Sequence, residues 1–576
     1  MKRLFFCLTG ITSLLFVLNG CSGRRGTVDI RVVATSDVHG HIYATDVLDG
    51  TERKGSLARF STFLKRQRKE NGNLIYLDAG DFFSGSVETY HDKTAEFYEP
   101  SLAATVYNSL GCDAAVFGNH EFSEGADVYM RFLEGCGFPV LGANLKFDNP
   151  GDFLPPYCII ERHGVRVAVI GFTAHSTCYT VPADILGTVV VDDIVGSARY
   201  WMPILKEKEN PDVIIGLLHS GFDNGRFDEQ NIEENAARHL AAEVPGFDLI
   251  VFGHDHIPYC GMVKCSDDKS VLLVNPGPYA EKAVVADISV TFSKKVRTGV
   301  SVKGMLSDVT GEDPDAEFAA TFKTRYDKLC HYTDSVIGEI DRGINCNGVL
   351  WRTNPGMDFI HYHQMRFQAA EISLASPVSL DMRAKAGEFT IRDAFRVYPY
   401  DNRLVSLMLK GSEVKDILEH SASCFYNTVG NGTSALLKTV SSVAGGVNRF
   451  ITASGIDYTI DVTRKDGDKV RISSMSDGKP FDPDRYYRTT MSSFLTSGAE
   501  SPLYDIPGFS RDEIRRRTVV TSGADMRYFI ITDFYIKRES GRPVSIPGND
   551  NWHLIPDKAV QDFLSSDTVN IILRQK

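Results

Sequence analysis

From Val28 to about Asp287 the chain alternates short apolar runs with amphipathic stretches. VDIRVVAT, NLIYLDAG, AAVFG, RVAVIGF, DVIIGLL, DLIVFG and VLLVNPG are rich in Val, Ile and Leu and bounded by Gly and polar residues, which predicts buried strands. Between them, GSLARFSTFLKRQRKEN and SLAATVYNSLG space their apolar positions as helices do, so this region predicts an α/β domain. DPDAEFAATFKTRYDKLCHYTDSVIGEI then predicts a long helix leading out of it. A second set of elements begins near Gly338 and includes the helix-like GSEVKDILEHSASCF and the strand-like GIDYTIDVTR. The Gly/Ser-rich VGNGTSALLKTVSSVAGG reads as one exposed loop, and no internal repeat is evident. The expected organisation is a first domain over 28–300, a linker helix over 301–335 and a second domain over 336–576.

At 576 residues the chain is too long for one ordinary core. With 43% hydrophobic and 24% charged residues it has the composition of a soluble globular protein. The amino terminus departs from this: Lys2 and Arg3 precede an apolar run from Leu4 to Leu18, a secretory signal too short to span as a mature helix. Gly20 before Cys21 resembles a bacterial lipoprotein processing site, with residues 1–20 removed and Cys21 lipidated, although Asn19 fits that pattern loosely. An extracytoplasmic protein tethered by lipid follows, facing periplasm or cell surface, with the outer membrane preferred.

The net charge is −12 and becomes more negative once Lys2 and Arg3 are cleaved away, which argues against a nucleic-acid polymer as partner. Eleven cysteines without paired CxxC spacing look like scattered thiols, with Cys260 and Cys265 the one close pair that could bridge a hairpin. A monomer is expected.

The strand ends of the first domain carry metal-ligating residue types: Asp37 and His39 in ATSDVHGH, Asp81 in LDAGDFF, Asn119 in FGNHE, His219 in LLHSG, and His254 with His256 in FGHDH. Carboxyl ends of parallel strands lie along one sheet edge, so all seven can converge. In DVH and HDH the ligand types are separated by one residue, and extended or turn geometry sends such side chains the same way. Imidazole, carboxylate and amide oxygen suit Zn²⁺, Mn²⁺, Fe²⁺ or Co²⁺, and two divalent ions against two carboxylates and a hydroxide leave a site positive enough for a phosphate.

The series resembles the calcineurin-like metallophosphoesterases and, with the second domain, the secreted 5′-nucleotidase and 2′,3′-cyclic-nucleotide 2′-phosphodiesterase family. The resemblance implies a four-layer α/β/β/α sandwich joined by a long helix to a second α/β (α+β) domain. It implies two divalent ions (Zn, Mn, Fe, Co or Mg), one on Asp37, His39 and His256, another on Asn119, His219 and His254, with Asp81 bridging. A hydroxide bridging the ions would attack phosphorus, and His120 would face the phosphate as the catalytic acid. Ser123 stands where the 5′-nucleotidase subgroup has an Asp that holds this histidine, so it is expected to orient His120 by hydrogen bond. His41 is the nearest candidate for a supporting role, while His175 and Asp255 match no ligand position.

For the substrate, NRFITASGIDYTIDVT and SSFLTSGAES resemble the family segments that clamp a nucleobase, here with Phe450 and Phe494. Two aromatic faces would contribute about 1–3 kcal/mol per stacked base and tolerate any base. Asn402 is a candidate for the sugar, and Glu500 stands where the subgroup has an Asp. The 5′-nucleotidase phosphate-clamping Arg is replaced by Asp381, with Arg383 nearby but out of register. Losing that guanidinium matters most for a terminal dianion, and ASPVSLD looks more like the cyclic-phosphodiesterase and 3′-nucleotidase branch. The expected function is hydrolysis of extracytoplasmic nucleotides of the 2′,3′-cyclic and 3′ type. The rivals are a 5′-nucleotidase or UDP-sugar hydrolase, and a non-catalytic nucleotide-binding surface lipoprotein.

Overall fold

The computed structural model describes residues 26–94, 99–147, 154–223, 232–294, 296–430, 436–438, 446–497 and 501–565. Its amino-terminal half packs two six-stranded sheets face to face. The first sheet runs, edge to edge, Val296–Asp308, Lys282–Ser293, Gly26–Thr35, Leu74–Asp78, Ala114–Val116 and Val140–Leu141. The second runs Tyr259–Lys264, Ser270–Asn275, Leu249–Phe252, Val213–His219, Val165–Thr173 and Tyr157–Arg162. The four strands from Gly26–Thr35 to Val140–Leu141 are parallel, as are those from Ser270–Asn275 to Val165–Thr173.

Period-two alternation puts one face of each strand in the seam between the sheets. Ile75 and Leu77 enter that seam with Val32, Ala34, Val169, Ile215 and Val251. Leu74 and Tyr76, on the opposite face, pack with Phe60, Phe63 and Leu64 of the helix Leu57–Glu70. Beyond the second sheet, Ala198, Met202 and Leu205 of the helix Ile194–Glu209 cover Ile170, Ile214 and Leu218. The result is the four-layer α/β/β/α sandwich. The seam is tight: a Cβ on Gly171 would lie 2.4 Å from Leu141 Cβ, so the glycine lets the sheets approach.

The sandwich extends past residue 300, because Val296–Asp308 pairs along its length with Lys282–Ser293 and closes the first sheet. The connecting helix is therefore shorter than expected, Ala316–Asp334, capped by the Asp315 side chain and packed inward through Phe318, Phe322 and Leu329. The carboxy-terminal half has a mixed five-stranded sheet, in the order Thr452–Ser454, Ile372–Ala375, Tyr486–Ser492, Arg403–Lys410 and Thr518–Asp525. A three-stranded sheet and the helices Pro355–Gln368, Gly411–Phe425 and Met526–Glu539 complete this second α/β (α+β) unit.

Two local expectations are corrected. Leu436 and Leu437, within the segment read as one exposed loop, are buried, because Leu437 bridges to Tyr426 and brings the apolar pair into the core. Cys260 and Cys265 are not bridged: Cys260 is exposed with its thiol against the Gly304 carbonyl, Cys265 is buried, and every described cysteine is a free thiol. Among the described residues, no helix is long and apolar enough to cross a membrane. Cys21 lies outside them.

Candidate active site

Five strand ends deliver the predicted donors to one point between the sheets. Asp37 and His39 follow Thr35, Asp81 follows Asp78, Asn119 and His120 follow Val116, His219 ends its strand, and His254 and His256 follow Phe252. Asp37, His39, Asp81, His254 and His256 all have left-handed backbone, with φ of 52°, 48°, 60°, 80° and 58°. Each such conformation costs a non-glycine residue about 1–3 kcal/mol and persists only where neighbours enforce it. Here backbone ties do so: Asp37 N donates to Gly80 O (2.8 Å), His39 N to Asp81 O (3.0 Å) and Tyr279 N to Asp37 O (2.9 Å). His254 N donates to the Asp37 carboxylate (3.0 Å). The intervening side chains turn elsewhere, Val38 into the core and Asp255 onto Phe222 N, Ile257 N and Asn275.

Two glycines permit the crowding. A Cβ on Gly118 would stand 2.0 Å from Asp81 Oδ1, and one on Gly253 would stand 1.8 Å from Ser36 Oγ. Glu121 knots the same loops, its buried carboxylate accepting N–H bonds from Gly118, Asp81, Phe82 and Phe83 at 2.6–3.0 Å.

The donors form two groups. In the first, His39 Nε2 is 3.1 Å from His256 Nε2, which is 3.5 Å from Asp37 Oδ1. In the second, His219 Nε2 is 3.1 Å from Asp81 Oδ2, 3.2 Å from His254 Nδ1 and 3.2 Å from Asn119 Oδ1. His219 Nδ1 donates to the Ala79 carbonyl (2.8 Å) and His39 Nδ1 stands 3.3 Å from the Ser84 carbonyl, which frees both Nε2 atoms to face the gap. The other Asp81 oxygen, Oδ1, accepts from His120 N (2.9 Å).

The electrostatics match the geometry. Burial pushes the Asp37 and Asp81 carboxyls up, but neighbouring imidazoles outweigh it and hold both below the usual carboxylate range. Burial also disfavours charged His219, yet Asp81 raises its pKa to about 10, while burial lowers His39 to about 4. Two buried carboxylates therefore keep negative charge beside imidazole nitrogens too close to face one another without a proton or cation between them. Nitrogen and oxygen donors of this kind, without thiolate, fit divalent ions of borderline hardness.

His120 lies beside these groups, its ring centroid 5.4 Å from that of His39. Ser123 does not hold it: the Ser123 hydroxyl donates to the Asn119 carbonyl (3.2 Å), as serines one helical turn on commonly do. His41 stacks on Tyr279 (4.3 Å), whose ring is 6.0 Å from both His39 and His256, so that tyrosine stands between it and the donors' rings. His175 bonds to the Val191 carbonyl (2.6 Å) and Tyr179 hydroxyl (3.1 Å), consistent with a structural place.

A cleft of about 890 Å³ between the two halves joins the donors to the second unit. Its walls include His39, Asn119, His120, His254 and His256 on one side, and Asn402 and Phe494 on the other. Phe450 is elsewhere. It is 1% exposed and packs against Phe425, Tyr426 and Trp552 at 5.1–6.1 Å, because the apolar neighbours of its turn draw the ring into the core. Arg383 is exposed on a two-stranded ribbon with Ile344–Asn345 and is not a cleft residue. Glu500 lies outside the described residues.

Sequence reasoning missed Lys93, Glu124, Tyr279, Tyr400, Asp401, Arg403, Asp525 and Tyr528, all of which line the cleft. Tyr279 follows a strand-ending NPGP, a turn signal next to a ligand loop that could have flagged it. The others owe their place to the docking of the two halves. Lys93 bridges Glu124 (2.8 Å) to Asp525 (3.1 Å), and Arg403 donates to the carbonyls of Ser123 (2.8 Å) and Gly523 (2.6 Å).

Comparison with known proteins gives the same outline. Residues 30–258 match the family model for calcineurin-like phosphoesterases, and residues 336–506 match that for the 5′-nucleotidase C-terminal domain. The chain is 26% identical over 554 residues to a 2′,3′-cyclic-nucleotide 2′-phosphodiesterase/3′-nucleotidase of Salmonella typhimurium, covering 85% of this chain and 84% of that one. It is 25% identical over 588 residues to the trifunctional nucleotide phosphoesterase protein YfkN of Bacillus subtilis, covering 92% of this chain but only 39% of that longer one. Among solved structures, a candidate 5′-nucleotidase from Staphylococcus aureus, crystallised with alpha-ketoglutarate, superposes with a TM-score of 0.70 at 20% identity, over 92% of this chain and 100% of its own.

Proposed function

Since the chain belongs to the calcineurin-like phosphoesterases that carry a 5′-nucleotidase C-terminal domain, and is thereby a metal-dependent phosphoester hydrolase, we propose that it acts on nucleotides and prefers 2′,3′-cyclic and 3′ phosphates. The observation that carries the preference is the state of the cleft's cations. Lys93 is spent on Glu124 and Asp525, Arg403 on backbone carbonyls, and Arg383 is off the cleft. A terminal phosphate dianion would meet no guanidinium fork among the described residues, whereas a phosphodiester monoanion needs that neutralisation less.

In this reading Asp37, His39 and His256 would hold one divalent ion, and Asn119, His219 and His254 would hold a second, with Asp81 available to both. When bound, such ions supply positive charge for the phosphoryl oxygens and acidify water. The chain's own contributions are to fix the donors before substrate arrives and to move a proton. Ala79 and Ser84 carbonyls set the tautomers of His219 and His39. The backbone of His120 is pinned to Asp81, which keeps its imidazole at the cleft wall, where it protonates the departing sugar oxygen. Phe494 offers a stacking face to the base and Asn402 a hydrogen bond to the sugar, while apolar contacts with any base keep recognition broad.

Secretion and lipid attachment at Cys21 would put this activity outside the cytoplasm, on nucleotides that cannot cross a membrane intact. Mass spectrometry of the mature amino terminus tests the attachment, since an unmodified terminus other than Cys21 removes it. For the activity, purified protein is assayed with 2′,3′-cyclic AMP, 3′-AMP and 5′-AMP in the presence of Mn²⁺, Co²⁺ or Zn²⁺. Turnover of the first two above the third is expected. Faster 5′-AMP hydrolysis would return the chain to the 5′-nucleotidase reading, and no turnover of any would leave a nucleotide-binding protein.

A further inference from the structure

The carboxy-terminal half touches the donor loops directly through Asp401. Its Oδ2 accepts from Ser84 Oγ (2.6 Å) and from Gly85 N (3.0 Å), while Oδ1 pairs with the guanidinium of Arg527. The turn it grips supports His39. The Ser84 carbonyl faces His39 Nδ1 at 3.3 Å, and a Cβ on Gly85 would lie 3.2 Å from His39 Cβ. Ser84 is itself left-handed, with φ of 66°, a conformation that a serine keeps only under external constraint. Here the constraint comes from the other half of the molecule.

Arg527 holds Asp401 firmly. It is 1% exposed, stacks over Phe395 (4.1 Å) from its own half and over Tyr90 (4.8 Å) from the other, and donates to the Pro399 carbonyl (2.8 Å). Burial lowers its pKa to about 10, which still leaves it charged at neutral pH. Separating it from Asp401 would leave an uncompensated buried charge, so the pair stays together whenever the halves are docked.

We infer that Asp401 is a positioning residue for His39. Docking of the carboxy-terminal half sets its carboxylate on the Ser84–Gly85 turn, the turn aims the Ser84 carbonyl, and the carbonyl fixes the imidazole. Docking of the carboxy-terminal half then supports the first donor group as well as supplying the facing wall of the cleft. The consequence for catalysis rests on the hydrolase reading above; the coupling itself does not.

The test uses Asp401→Ala, Asp401→Asn and, as a comparison, Arg392→Ala, which removes the interdomain bonds to the Val47 and Leu48 carbonyls instead. Two readouts need no substrate: deuterium exchange of the segment containing Gly85 in metal-free protein, and the Mn²⁺ binding isotherm. Asp401→Ala is expected to speed exchange at that segment and to weaken one of the Mn²⁺ steps by about 10-fold, the lower end for a supporting partner of a ligand. Asp401→Asn keeps an acceptor for the turn but loses the ionic partner of Arg527, so its shift is smaller and in the same direction. Arg392→Ala leaves both readouts unchanged. Should the alanine variant fail to fold, the asparagine variant decides. Unchanged exchange and binding in a folded Asp401 variant, or an equal shift in Arg392→Ala, overturns the inference. A shifted isotherm in protein that hydrolyses no nucleotide would keep the coupling and remove the substrate reading.

Discussion

The two walls of the cleft differ in how far apart their parts lie in the chain. On the donor wall every candidate donor sits at most four positions past the end of a strand, and backbone hydrogen bonds between neighbouring loops lock its strained dihedrals. On the facing wall, Tyr400 to Arg403, Ser493 and Phe494, and Gly523 to Tyr528 come from three separate segments, and Asp401, Arg403 and Asp525 are tied to residues of the other half as well as to their own. A wall made of strand ends is rigid because the sheet is rigid. A wall made by docking is set by the interface, and can be altered by residues that never touch the substrate.

That contrast breaks first, and most severely, at Asp81. Replacing it with Ala should lower kcat/KM for bis-p-nitrophenyl phosphate by at least about 1,000-fold and reduce bound Mn²⁺, since several kcal/mol of charge stabilisation depend on the donor set. Near-normal activity would mean that this wall is not the metal wall. His120→Asn should lower kcat by about 100- to 10,000-fold with metal content intact, the range for a proton-transfer residue. An unchanged kcat would make His120 a bystander.

The two phenylalanines sharpen the comparison at the facing wall. Phe494→Ala should weaken nucleotide binding by about 1–3 kcal/mol, seen as a raised KM, without a large change in melting temperature. Phe450→Ala should do the reverse, destabilising the protein by about 3–5 kcal/mol while KM holds, because it empties a core position. Exchange of these two outcomes would put the base against Phe450 and overturn its assignment to the core.

The smallest effect concerns pH and the carboxy-terminal half alone. His361 is buried between Ser373 Oγ (2.8 Å) and Thr452 Oγ1 (3.0 Å), and burial lowers its pKa to about 3. The unfolded chain, with an ordinary histidine, binds the extra proton first as pH falls below about 6.5, so the stability this group contributes is full above that value and declines toward pH 3. The loss between pH 7 and pH 5 should be about 2 kcal/mol. Denaturant melts of His361→Asn should show a flatter dependence over that window, and an unchanged slope would put the acid sensitivity elsewhere.

Much of the donor wall was legible from residues alone. Buried parallel strands read as apolar runs, and polar residues placed straight after them converge because the strands do; that logic finds Asp37, His39, Asp81, Asn119, His219, His254 and His256 together. It does not find left-handed backbone at five of them, which arises from cross-loop ties that no single loop encodes. The motif that suggested Phe450 is local and correctly marks a turn, but whether a ring faces a cleft or a core depends on Phe425, Tyr426 and Trp552, the last of them about a hundred residues away. Ser123 misled for a related reason: a helix-turn carbonyl was a nearer acceptor for its hydroxyl than any histidine.

By itself, then, the sequence determined the layered α/β scaffold and the chemistry of its strand ends, because both follow from short-range patterning: hydrophobic period, strand termination and donor type. Tertiary structure alone decided which aromatic ring meets the cleft, which partners engage Lys93 and Arg403, and that Asp401 reaches across to the loop beneath His39. Those outcomes depend on side chains hundreds of positions apart competing for the same partners, and no local pattern records who wins.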